Sequence, residues 1–113
     1  MHEMSLAESV REIIEDAARE QGFSRVRTVW LEIGQLSCVE PEAMRFCFDA
    51  AMEGSIGKGA RLEIIEIPGS GRCEACGETV EMQEQYGLCS KCGSPRIQII
   101  NGDQMRVKDL EVD

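Results

Sequence analysis

A basic segment is missing from this chain. Residues 1–67, 68–102 and 103–113 each hold more Asp and Glu than Lys and Arg, and the formal net charge over 113 residues is −9. Affinity for DNA or RNA rests on cationic side chains that neutralise phosphates, so the balance argues against a nucleic-acid partner; a metal cation or a protein with a basic patch fits better. A long hydrophobic run is missing too. No stretch of about 18 uncharged apolar residues exists to span a membrane. The first sixteen residues, MHEMSLAESVREIIED, carry acids where a signal peptide would have basic residues ahead of an apolar block. A cytoplasmic protein with no membrane partner is expected. Histidine is almost absent, His2 being the only one. No nucleophile–base pair, phosphate loop or open metal shell with a general base is visible, so no enzyme is read here. At 113 residues and 42% apolar, the chain makes one small unit or two very small ones, without room for a large internal active site.

What is present falls into two kinds of sequence. Ser5 and Glu8 have the spacing of a capping box, and Leu6, Val10, Ile13, Ile14, Ala17 and Ala18 recur at helical intervals up to Gly22, so a helix is expected over residues 5–21. Val26 to Ile33 is β-branched and closed by Gly34, with Val29, Leu31 and Ile33 on one side, which predicts a strand. Pro41 suits a first helical position, and Met44, Cys47, Phe48 and Ala51 then share a face before Gly54. Arg61 to Ile67 is a second strand between glycines. The chain ends in a strand from Gln104 to Val112, whose apolar positions change phase between Met105/Val107 and Leu110/Val112, the mark of a bulge. That strand should rejoin the first sheet, since two strands and two helices alone leave thin, open edges. The expectation is an α+β protein: a small mixed three-stranded sheet with two helices, from residues 1–67 and 103–113, with an inserted zinc-ribbon-like domain at 68–102. Asn101-Gly102, after Ile97, Ile99 and Ile100, reads as a hairpin turn.

The insert is too small and too poor in large apolar residues to fold unaided. It contains Cys73-Glu74-Ala75-Cys76-Gly77 and Cys89-Ser90-Lys91-Cys92-Gly93, two matched knuckles. Each turn presents two thiolates, and four thiolates close a tetrahedral shell with no position left for catalysis. Cys73, Cys76, Cys89 and Cys92 are therefore assigned to structural zinc, in preference to iron or a pair of disulfides.

His2 stands ahead of the first helix. On the residues alone a terminal Met-His is either a frayed end or a chelate, in which the Met1 amine, the His2 amide nitrogen and its imidazole close fused rings and Glu3 fills a fourth place. Nitrogen donors in a plane suit Ni(II) or Cu(II), and deprotonated amides would offset a dication beside the positive end of a helix.

Met1-His2-Glu3-Met4-Ser5-Leu6, the two knuckles with their spacing, and Asn101-Gly102-Asp103-Gln104-Met105-Arg106 resemble the hydrogenase maturation factors of the HypA/HybF family over essentially the whole chain. The resemblance implies a nickel metallochaperone, with His2 as nickel ligand helped by Met1 and Glu3, and zinc on the four cysteines. It implies a GTPase nickel-insertion partner of the HypB type, and [NiFe]-hydrogenase, through its large subunit, as recipient. Some members also serve urease. The alternative class is a zinc-ribbon adaptor that transports no metal.

The remaining candidates receive plainer readings. Cys38 and Cys47 are expected to be small buried hydrophobes, and Trp30, Phe46 and Phe48 core. Glu40 should cap the second helix, with a contact to His2 as the sharper alternative. Glu12, Glu15, Asp16 and Glu20 form a solvated helix face, or one that meets a basic partner.

Overall fold

A computed structural model describes residues 2–113. The apolar stripe of the first predicted helix is buried through Ala7, Val10 and Ile14, on α1 (Glu3–Gln21). The helix starts two residues earlier than the capping-box reading. The Leu6 N–H donates to the His2 carbonyl at 3.2 Å, making His2 the N-cap residue, and Ser5 lies inside the first turn, where its carbonyl accepts the Ser9 hydroxyl at 3.1 Å. The expected Ser5–Glu8 capping box is therefore not formed. An acidic residue, Glu3, occupies the first turn instead, where the helix dipole favours it.

After β1 (Val26–Gly34), α2 (Pro41–Met52) crosses over to β2 (Arg61–Ile67), which pairs parallel with β1. At the other edge β6 (Met105–Val112) pairs antiparallel with β1, giving the mixed order β2-β1-β6. Its phase change is real: Trp30 faces Asp109 while Leu31 faces Val107, leaving Lys108 as the extra residue of a bulge. Buried residues of both helices join those of β1 and β2 in one apolar cluster that includes Phe48, Met44, Val29 and Leu31, and half-buried Met105, Val107 and Leu110 of β6 pack against it. The helices start at the same end. Glu3 meets Glu40 there, and further along the Arg11 guanidinium donates to the Ala51 and Glu53 carbonyls at 3.1 and 3.2 Å.

Between β2 and β6 the chain builds a second sheet, ordered β4-β3-β5, from β3 (Gly69–Cys73), β4 (Thr79–Met82) and β5 (Ile97–Asn101). Asn101-Gly102 does not make the expected hairpin. β5 pairs with β3 and β6 with β1, so these residues carry the chain from one sheet to the other. The second sheet has its own core of Cys73, Val80, Met82 and Cys89, with Leu36 at its centre. Leu36 comes from the loop after β1, and 1% of its surface is exposed. Its N–H donates to the Gly102 carbonyl at 2.7 Å, and its carbonyl accepts the Gln85 amide at 2.6 Å. A Cβ on Gly34 would lie 2.0 Å from the Gly102 carbonyl oxygen, so only glycine permits this approach.

Three core expectations are corrected. Phe46 is 76% exposed, on the side of α2 opposite Met44 and Phe48. Trp30 alternates away from the buried Val29 and Leu31 and is only half-buried. Cys38 is exposed at φ +63°, because the tight turn after β1, closed by the Ser37 N–H on the Gly34 carbonyl at 3.0 Å, turns it outward. Cys47 is half-buried against the core, as expected.

Candidate metal centres

The first cysteine knuckle begins at the end of β3 and the second in the irregular stretch that follows β4, and both repeat the same bonds. The Gly77 N–H donates to the Cys73 carbonyl and the Gly93 N–H to the Cys89 carbonyl, both at 2.8 Å, with the two glycines at φ +78° and +79°. That left-handed turn is open to glycine at little cost, and it points the N–H groups between the two cysteines toward the first sulfur. Lys91 and Cys92 both donate to Cys89 Sγ at 3.4 Å.

All four Sγ atoms lie within 4.8 Å of one another. The Cys73–Cys92 separation is 3.5 Å and the Cys76–Cys89 separation 3.8 Å. A zinc–sulfur bond of about 2.3 Å gives a tetrahedral edge of about 3.8 Å, whereas a disulfide needs about 2.05 Å, so the geometry fits a four-thiolate zinc site and contains no disulfide. Cys73 and Cys89 are buried, while Cys76 and Cys92 are exposed.

The thiols are electrostatically unequal. The Cys92 and Lys91 N–H groups bring Cys89 down to about 6 against the opposing effect of burial. The Cys76 N–H lowers Cys73 in the same way. Cys92 is pushed up to about 12: the Ser94 N–H pulls it down, but Cys73, burial and the other two sulfurs together raise it further. Cys76 is raised despite the Glu78 N–H, by burial and by the neighbouring Cys73 and Cys89 sulfurs. Like charges confined this closely cannot all ionise unaided, and a dication that replaces the protons relieves the conflict.

At the N-terminus His2 is exposed, with extended backbone at φ −91° and ψ 95°. Met1 lies outside the described residues. One oxygen of the Glu3 carboxylate accepts the Glu40 N–H at 3.2 Å. That bond, followed by one from the Glu3 N–H, holds the carboxyl below its ordinary range. Glu40 is the residue before α2, but its side chain makes no cap. The expected capping role is thus reversed: the carboxylate comes from Glu3 and the N–H from Glu40. Of the residues singled out in the sequence, the four cysteines converge, and Glu3 and Glu40 meet beside His2. Leu36 and Gln85, which fasten the cysteine-bearing sheet to the first, went unrecognised; a lone leucine in a polar turn after a strand was the available signal.

Comparison with known proteins extends the likeness to the whole chain. A family model described as "Hydrogenase/urease nickel incorporation, metallochaperone, hypA" matches residues 1–112. The hydrogenase maturation factor HypA of Albidiferax ferrireducens is 60% identical and that of Dechloromonas aromatica 57%, each over 113 residues and the full length of both chains. Among solved structures, the solution structure of the Ni metallochaperone HypA from Helicobacter pylori superposes with a TM-score of 0.75 at 28% identity, covering 99% of this chain and 97% of that one. Matched over residues 1–112 by the family model and over its full length by these relatives, the chain belongs to the HypA family of nickel metallochaperones for hydrogenase maturation.

Proposed function

We propose that this protein captures Ni(II) at its N-terminus and delivers it for maturation of a [NiFe]-hydrogenase, and that urease is a further client. Nickel is its cargo, and no chemical step is catalysed. The ligands are the His2 imidazole and amide, the Met1 amine, and Glu3. Residues 1–67 and 103–113 form the nickel-binding unit, and residues 68–102 form the zinc-binding unit, with structural zinc on Cys73, Cys76, Cys89 and Cys92. Zinc there supplies cross-linking of the two knuckles, in a segment whose burial alone cannot hold it. The protein works in the cytoplasm with a GTPase partner of the HypB type and the hydrogenase large subunit.

The observation that carries the reading is the setting of His2. It is exposed and extended, ahead of a helix whose first turn is tied to the start of α2 by Glu3. A donor fixed on one side and open on the other can be loaded from solution and unloaded by ligand exchange when a partner brings competing donors. Glu3 is an anchor as well as a donor, because one carboxylate oxygen is engaged by Glu40. Titration with Ni(II), followed by calorimetry and absorption, tests the reading: the zinc-loaded wild type should bind nickel stoichiometrically, and His2→Ala should lose that site while keeping its zinc. Equal binding by both would defeat it.

A further inference from the structure

The sheet β2-β1-β6 has its helices on one face only. Val29, Leu31 and Ile33 of β1 belong to the cluster shared with α1 and α2. Their neighbours Trp30 and Glu32 alternate to the other face. Register places Trp30 between Glu63 of β2 and Asp109 of β6, and Glu32 between Ile65 and Arg106. Trp30, Ile65 and Ile67 are half-buried outside that cluster, and Ile100 of β5 is 55% exposed. Where the two sheets meet, a cleft of about 400 Å³ opens, with Ile67 and Ile100 among its walls beside the Glu32–Arg106 ion pair.

We infer that this open face docks a protein partner in nickel transfer, one that presents an apolar side chain to the cleft from within a ring of Lys and Arg. The face itself selects that chemistry. Around Trp30 the register sets four carboxylates, Glu32, Glu63, Asp109 and Glu111, against three cations, Arg61, Arg106 and the bulge residue Lys108. The excess is negative, as over the whole chain. A tryptophan at the centre of a polar rim has the anatomy of a binding hot spot. Position matters as well. The cleft lies at the Gly34 end of β1, the end at which α2 begins and Glu40 holds Glu3. A partner seated there comes up to the end of the sheet that carries His2. This docking face rests on the reading of the protein as a carrier that hands nickel to other proteins.

Trp30 is the only tryptophan in the chain, so 5-fluorotryptophan gives one ¹⁹F resonance that reports on this face. The zinc-loaded full-length protein is titrated separately with the purified GTPase partner and with the purified hydrogenase large-subunit precursor, and binding is measured in parallel by calorimetry. With at least one of them the Trp30 line should shift or broaden saturably, and affinity should fall with added salt. The Glu63→Lys/Asp109→Lys variant, with unchanged zinc content and thermal stability, should bind at least about tenfold more weakly. Phe46→Ala, on the outer side of α2, should bind as the wild type does. Binding that leaves the Trp30 line unmoved, or wild-type affinity in the double variant, overturns the docking face alone. Absence of binding by either protein to the wild type overturns the partnership and the face with it. A line that moves with protein concentration before any partner is added identifies a second copy as the occupant and also overturns it.

Discussion

The Glu3 carboxylate accepts the Glu40 N–H at 3.2 Å, so the residue that follows His2 is bonded to the residue that precedes α2. Both helices start at that point, and backbone N–H groups of a first helical turn have no partner within the helix. Glu3 satisfies one of them across the gap between the helices and holds the N-terminus against the body of the protein.

Removing that acceptor should release the helix start. Glu3→Ala is expected to speed hydrogen exchange at the Glu40 amide and to weaken nickel binding, with zinc content unchanged. Because the bond to Glu40 keeps the carboxyl below its ordinary range, the ionised anchor persists at neutral pH and is lost only on acidification through that lowered range. Protection of the Glu40 amide should therefore be flat at neutral pH and fall in acid. Unchanged exchange in Glu3→Ala would show that the contact anchors nothing.

Leu36 should matter to the cysteine-bearing sheet although it lies outside it in sequence. It is 1% exposed among Cys73, Val80, Met82 and Cys89. Leu36→Ala should cost about 2–5 kcal/mol, as truncation of a fully buried leucine does. Amide protection in residues 69–101 should fall more than protection in α1. A loss below about 1 kcal/mol would mean that Leu36 is not the plug described.

Zinc retention should depend on pH with a definite sign. Cys89 is held down to about 6 by the Cys92 and Lys91 N–H groups, so its thiolate is present above that pH and lost as the pH falls through it. Bound zinc competes with those protons, which moves release to lower pH still. Zinc should stay bound at neutrality and dissociate in acid, below the pH at which the metal-free Cys89 gains its proton, with loss of order in residues 68–102. Cys73→Ser should reproduce that disorder at neutral pH. Native amide protection in the segment after complete zinc removal would refute a structural role for the metal.

The first sheet was legible because its strands are regular. Val26–Ile33 and Arg61–Ile67 are β-branched and bounded by glycines, and the phase change after Val107 foretold the bulge at Lys108. β3, running Gly69-Ser70-Gly71-Arg72-Cys73, has no apolar alternation to read. The missing side chain at Gly71 is what the fold uses: a Cβ there would come within 2.5 Å of both Ile97 and Met82 side-chain atoms. Asn101-Gly102 has the composition of a hairpin turn but joins strands of different sheets, a matter of long-range pairing that a dipeptide does not encode. Phe46 was misplaced because a phenylalanine near Phe48 was given to the core, although two helical steps of about 100° each turn residues two apart to opposite faces. The four cysteines were legible from spacing alone. The Glu3–Glu40 bond was not, since it joins residues 37 apart in sequence through one backbone N–H.

Nickel capture by the extreme N-terminus is tested most directly by placing Gly-Ser ahead of Met1. The extension converts the Met1 amine into an amide and moves the free amine two residues away, while the helices, the sheets and the cysteine knuckles are untouched. Isothermal titration with Ni(II), on zinc-loaded protein of equal thermal stability, should show affinity reduced by at least about tenfold, or about 1.4 kcal/mol. His2→Ala should match or exceed that loss, and Cys47→Ser should bind as the wild type does. Nickel bound by the extended protein as tightly as by the native one, with the same absorption spectrum, would contradict the amine–imidazole chelate.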